Sequence, residues 1–236
     1  IYDRLVGSEM CIRDRLFVFG VSSIASANDI YITQSGDTLD LDITQDGQNN
    51  VIGTSTTDVE LTGDSMTLTI TQTGNSNVAA IDINGNTYTG TLSFTGNSND
   101  ILLNCDGTGG TDCETVTMDV AVTGDSADID ITIGSSADAQ TFSGDIDITG
   151  DSETVTLTVD GTSSVVDIDV SNALGSSGNT WTVDIDGDGD SQGHTYIHSH
   201  TGDGATINTT QSGINDNVIN LTTSGDSHEI DITQSD

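Results

Sequence analysis

Proline is absent from the 236 residues, and beyond Arg15 there is neither lysine nor arginine. Average usage of about 5% would give roughly a dozen prolines, so chance is a poor explanation. Proline cannot donate to a strand ladder and is excluded from cross-β segments. Its absence suits a chain in which nearly every residue lies in a strand or a tight turn. The three basic residues, Arg4, Arg13 and Arg15, leave 35 of the 38 acidic residues beyond them uncompensated. Such a surface repels phosphate backbones, which are bound through Lys and Arg. Nucleic acid is thereby excluded as a partner, and divalent cations are the natural counterions. No run approaches the ~18 apolar residues of a spanning helix, so membrane insertion by a helix is excluded. Also missing are the G-x-S-x-G elbow, the phosphate loop and H-E-x-x-H, and carboxylate pairs are too common to single one out. The chain reads as something other than an enzyme.

What is there begins with a leader. Residues 1–15 contain LVGSEMCIRDR, which resembles translated sequencing-adapter read-through and shares nothing with the rest of the chain; they are read as non-native. Residues 16–27, LFVFGVSSIASA, combine a short apolar run with an A-x-A cleavage pattern, as in the back half of a secretory signal peptide. A short buried strand is the alternative. The mature chain then starts at Asn28, and 28–236 forms a single repeat-built domain. It closes in mid-repeat on ITQSD, as a fragment would. Cys105 and Cys113 flank a glycine-rich loop, NCDGTGGTDC. In an exported protein this spacing predicts a disulfide, with a metal site as the alternative.

One unit recurs throughout. Gly-Asp/Asn-Ser occurs at 63–65, 74–76, 96–98, 124–126, 150–152, 189–191 and 225–227. Between these turns apolar and polar residues alternate strictly, as in MTLTI, ADIDITI, TVTLTV and HEIDI. Period-2 alternation argues strand, and the helical i, i+3, i+4 pattern is missing. Glycine is expected to supply the positive φ of each turn, supported by Asn, Asp and Ser. Turn glycines stand 11 or 22 apart, which points to stacked coils. The expected fold class is all-β: a β-solenoid of strand-turn-strand coils, about 22 residues per two-strand coil.

Parity places amides inside. Leu68, Ile70 and Gln72 share a face; so do Asn77, Ala79, Ile81 and Ile83. The same rule turns Gln34, Gln45 and Gln234 inward. A lone buried amide costs several kcal/mol. That cost disappears where identical amides stack at the ~4.8 Å strand spacing as Asn/Gln ladders. Each strand thus ends with an inward glutamine, turns over glycine, and the best copies re-enter with an inward asparagine.

The stretch Gln72-x-Gly74-x-x-Asn77-x-Ala79 resembles the core of curlin repeats, the subunits of curli fibres. Gln45, Gly47 and Asn50 are similar, with Ile52 for the alanine. Gln211, Gly213 and Asn217 match with one inserted residue, and Gln34 and Gly36 carry the first half. The resemblance covers 29–83 and 205–236. It implies a secreted structural protein that passes an outer-membrane secretion apparatus and self-associates into amyloid-type fibres of a biofilm matrix at the cell surface.

Other constellations compete. Asp184, Asp186, Asp188 and Asp190 resemble the start of an EF-hand loop, but Thr195 stands where the closing Glu belongs. The run can hold Ca²⁺ weakly or serve as a solvated acidic turn. His194, His198 and His200 share a face with Tyr196 opposite Ile197; with Ile197 inward they form an exposed strip, either merely polar or suited to Zn²⁺ or Cu²⁺. No cofactor is required, and Ca²⁺ is the candidate ion. Two further functions compete with the fibre: a monomeric, acidic, Ca²⁺-stabilised surface adhesin, or an ice-binding solenoid suggested by Thr67-x-Thr69-x-Thr71 and Thr154-x-Thr156-x-Thr158. The latter ranks last because Asp replaces Thr in most strands.

Overall fold

A computed structural model describes residues 28–54, 56, 58–105, 113–134, 141–161, 163–171, 178–186, 194–212 and 218–235. Both leader segments lie outside the described residues. The strands run β1 (Asn28–Ile30), β2 (Thr33–Ser35), β3 (Thr38–Asp46), β4 (Asn49–Ile52), β5 (Val59–Thr62), β6 (Ser65–Thr73), β7 (Ser76–Asn84), β8 (Thr87–Thr95), β9 (Ser98–Cys105) and β10 (Thr115–Gly124). They continue as β11 (Ser126–Ile133), β12 (Thr141–Gly150), β13 (Thr154–Asp160), β14 (Ser164–Ser171), β15 (Thr180–Asp186), β16 (Thr195–Thr201), β17 (Thr206–Ser212), β18 (Val218–Ser224) and β19 (Glu229–Ser235). No helix occurs among the described residues.

Consecutive strands do not pair with each other; each pairs with strands one coil away, always in parallel. One wall is the series β18-β16-β14-β12-β10-β8-β6-β3. The other holds the remaining strands, from β1 and β2 to β19. The chain therefore winds as a β-solenoid with two walls. Alternation sends every second side chain into the strip between them, so that Ile70, Leu92, Val120, Ile146 and Ile168 form one buried column. Burial contributes about 1.5–3 kcal/mol per large aliphatic side chain. Each coil adds a similar increment, and the fold's stability accumulates with neighbour-to-neighbour contact.

The coil is longer than the expected 22 residues. It averages about 26. Steps of 22 occur where both turns are tight, from Ser65 to Thr87 and from Phe142 to Ser164. The step of 27 from Thr38 to Ser65 has a visible cause. β4 and β5 both pair with β7, ending at Ile52↔Ala79 and resuming at Val59↔Ile81, so six positions of the chain, 53–58, stand against Ala80 alone in the register. Longer steps, such as 28 from Thr87 to Thr115 and 30 from Val165 to Thr195, take in segments outside the described residues.

The turn glycines are present for a different reason than backbone handedness. Gly36, Gly47, Gly63, Gly74, Gly96, Gly124 and Gly150 are not in the left-handed region; of the described triplet glycines only Gly225 is, at φ 144. A Cβ on Gly74 would instead run into the carbonyl of Gly47, one on Gly96 into Gly74, and one on Gly124 into Gly96. The same relation links Gly36, Gly63 and Gly85 at the opposite corner. Two ribs of glycine thus stack backbone on backbone, held by bonds such as Gly47 N to Thr73 O and Gly74 N to Thr95 O, both 2.9 Å. Left-handed backbone falls on serine at Ser152 (φ 62) and Ser227 (φ 63).

Candidate functional site

The register that aligns the glycines also aligns the amides. Gln45 pairs with Gln72, and Asn50 with Asn77, which pairs in turn with Asn99. All five are buried. Gln72 Nε2 donates to Gln45 Oε1 at 2.7 Å, and Gln45 Nε2 donates to Asn28 O at 2.6 Å. Asn50 Nδ2 donates to Asn77 Oδ1 at 3.1 Å, and Asn77 Nδ2 to Asn99 Oδ1 at 2.8 Å. The asparagines also hold the turn: Asn50 Nδ2 reaches Thr73 O at 2.9 Å and Asn77 Nδ2 reaches Thr95 O at 3.1 Å. The amide nitrogens are satisfied in this way, while Asn50 Oδ1 and Gln72 Oε1 accept no hydrogen bond among the described residues; an unpaired buried polar group costs about 1–3 kcal/mol.

Asn99 is a member that parity reasoning missed. The glutamine that should announce it is Phe94, which lies in register with Gln72 and ends that ladder with an aromatic ring. The surviving signal is the spacing Gly96-x-x-Asn99. Asn179 is a second missed amide; its Oδ1 accepts from Glu153 N at 3.1 Å.

The remaining glutamines do not join this cluster. Gln34 is half-buried on the opposite wall, in register with Leu61. Gln211 is buried, and it aligns with Ile185 on one side and Gln234 on the other. Gln234 is exposed on β19. Two separate glutamine columns therefore exist, one per wall. Gly213 and Asn217 lie outside the described residues.

The histidine strip is inside. His194, His198 and His200 are buried with Tyr196, while Ile197 is half-buried on the outer face; the expected orientation is reversed. The cause is the neighbouring coil, since β14 places inward Val166, Ile168 and Val170 opposite Tyr196, His198 and His200. Rings then pack edge to face, Trp181 to His198 at 5.0 Å, His198 to His200 at 6.1 Å and His200 to His228 at 5.5 Å. Tyr196 Oη and His198 Nδ1 share a hydrogen bond of 2.6 Å. Burial, and then the neighbouring His200, push His198 down to about 3. Burial, and then His228, take His200 down to about 4. Burial also lowers His194 against the opposing pull of Asp186. These are neutral core imidazoles.

Asp184 and Asp186 lie exposed on β15, where Ser212 Oγ donates to Asp186. Asp188 and Asp190 are outside the described residues. Among the described residues no group of three or more His, Cys, Asp or Glu is arranged to hold a metal ion. Cys105 and Cys113 are joined by a disulfide, with Cα atoms 5.9 Å apart.

Carboxylates stack in register on the outer face of the wall that runs from β3 to β18. Asp145 aligns with Asp119 and Asp167, and Asp147 with Asp169. Partial burial, then Asp147, Asp167, Asp119 and Asp169 raise the carboxyl of Asp145; burial, then Asp169 and Asp147 raise that of Asp167. Each coil thus repels the next across this grid. No protein-family model, no curated protein and no solved structure matches the chain.

Proposed function

We propose that the chain is a secreted structural protein: a curlin-like subunit of an extracellular, amyloid-type fibre in a biofilm matrix. The observation that carries the reading is the hydrogen-bonded column Asn50, Asn77, Asn99 beside the pair Gln45, Gln72. Ladders of identical amides between in-register parallel strands are the stabilising device of cross-β assemblies. Export through an outer-membrane apparatus and a cell-surface location belong to the same proposal. Purified residues 28–236 should form filaments with cross-β diffraction; a chain that stays monomeric at high concentration, with and without calcium, sinks the reading.

The aspartate grid favours a second reading, a monomeric acidic surface adhesin ordered by Ca²⁺. Chelation should then melt the strands. A circular dichroism spectrum indifferent to EDTA rejects it.

A further inference from the structure

The outer face of the wall that runs from β3 to β18 is not uniformly acidic. All ten outward positions of β6 and β8 are threonine or serine, in a chain of net charge −35. β10 extends the window, with Asp119 the sole charge among its five outward residues from Thr115 to Thr123. Register is unbroken across all three strands. Thr67, Thr89 and Thr117 form one exposed column, and Thr73, Thr95 and Thr123 another. Strand geometry spaces hydroxyls about 4.8 Å apart along a column and about 6.6 Å apart along a strand. The β-branch of threonine restricts χ1, so methyl and hydroxyl are presented alike at each node. The result is a two-dimensional lattice of paired apolar and hydrogen-bonding groups.

We propose that this face binds ice. A face of a water crystal is uncharged and periodic in two dimensions, as this array of hydroxyls and methyls is. Methyl groups order the water between nodes while hydroxyls join its hydrogen-bond network. The match in charge matters because β6 and β8 are neutral and aspartate resumes on both sides, at Asp40 and Asp42 on β3 and at Asp119 on β10. A protein partner fits poorly, since binding hot spots are aromatic or arginine anchors and the window has neither. A sugar polymer lacks an exposed ring to stack on here. Threonine need not recur on every coil when three adjacent strands already form the lattice.

The proposal goes beyond the fibre reading and does not depend on it, because one molecule carries the whole face. Thermal hysteresis and incorporation of the fluorescently labelled full chain into a growing ice hemisphere test it. The expected result is measurable hysteresis with label on defined ice planes. Hysteresis should be lost in Thr89→Asp and in Thr95→Asp, and retained in Asp128→Asn on the opposite wall. Outward aspartate in register is tolerated by this fold, as Asp145 and Asp167 show, and an unchanged circular dichroism spectrum verifies each variant. Exclusion of the folded chain from ice overturns the proposal. So does hysteresis that survives Thr89→Asp, or binding to crystalline cellulose without adsorption to ice. Filament formation, scored separately by microscopy, keeps failure of this idea apart from failure of the fibre reading.

Discussion

Acidification from pH 7 to pH 5 should loosen the coils around β16 while leaving those around β6 closed. His198 and His200 are held neutral by burial, at about 3 and about 4. The unfolded chain, with ordinary imidazoles near 6.5, binds more protons than the fold between those values. Stability therefore falls as pH drops below 6.5 and goes on falling until the folded imidazoles themselves titrate. Each fully effective group loses 1.36 kcal/mol per pH unit, or about 2 kcal/mol between pH 6.5 and 5. Two histidines give up to about 4 kcal/mol, less whatever screening His200 enjoys near the half-buried His228. The aspartates oppose this. Their raised carboxyls take up protons in the fold before they do in the unfolded chain, so the fold gains as pH falls, but only on approach to the carboxylate range. Hydrogen exchange read by mass spectrometry, corrected for intrinsic rates, should show protection lost in β14, β16 and β17 and kept in β6 and β8. The double change His198→Leu and His200→Leu should flatten the pH response. Equal protection of β16 at both pH values, or an equal loss in β6, would refute the reasoning.

Three further outcomes are expected. Gln72→Ala leaves Gln45 Oε1 without its donor and opens space beneath Phe94, costing about 1–3 kcal/mol in urea unfolding, against under about 0.5 kcal/mol for Ser76→Ala. Gly96→Ala drives a methyl into the Gly74 carbonyl and to within 2.8 Å of Asn77 Nδ2; overpacking of this kind costs about 1–3 kcal/mol, and a melting temperature equal to wild type would contradict the rib. Because Asp119, Asp145, Asp147, Asp167 and Asp169 repel across coils, 1 M salt should raise the melting temperature by shortening the screening length to about 3 Å, and Asp145→Asn should raise it at low salt.

Much of this was legible because strand parity is binary. The inward placement of Gln45, Gln72, Asn50 and Asn77 needs no information beyond the neighbouring Leu, Ile and Ala. Parity fails where a segment is short and its polar residues outnumber its apolar ones. In HTYIHSH a single isoleucine is outvoted by the contacts that Val166, Ile168 and Val170 supply from thirty residues away. Coil length is not legible in the sequence because insertions such as 53–58 are absorbed in one wall without disturbing register. The glycines look like handedness devices in a local window, where a carbonyl arriving from 22 or 27 residues off is invisible. The threonine lattice needed the register too, since alternate threonines are common and alignment across three strands is not.

Each coil touches only the one before and the one after it, and this makes length a free variable. Removing or copying residues 65–86 would hand every flanking strand an equivalent partner. Slippage during replication could therefore shorten or extend the gene by a whole unit with no compensating change elsewhere. Selection could tune the area of a surface in this way, row by row, and leave the core chemistry as it was.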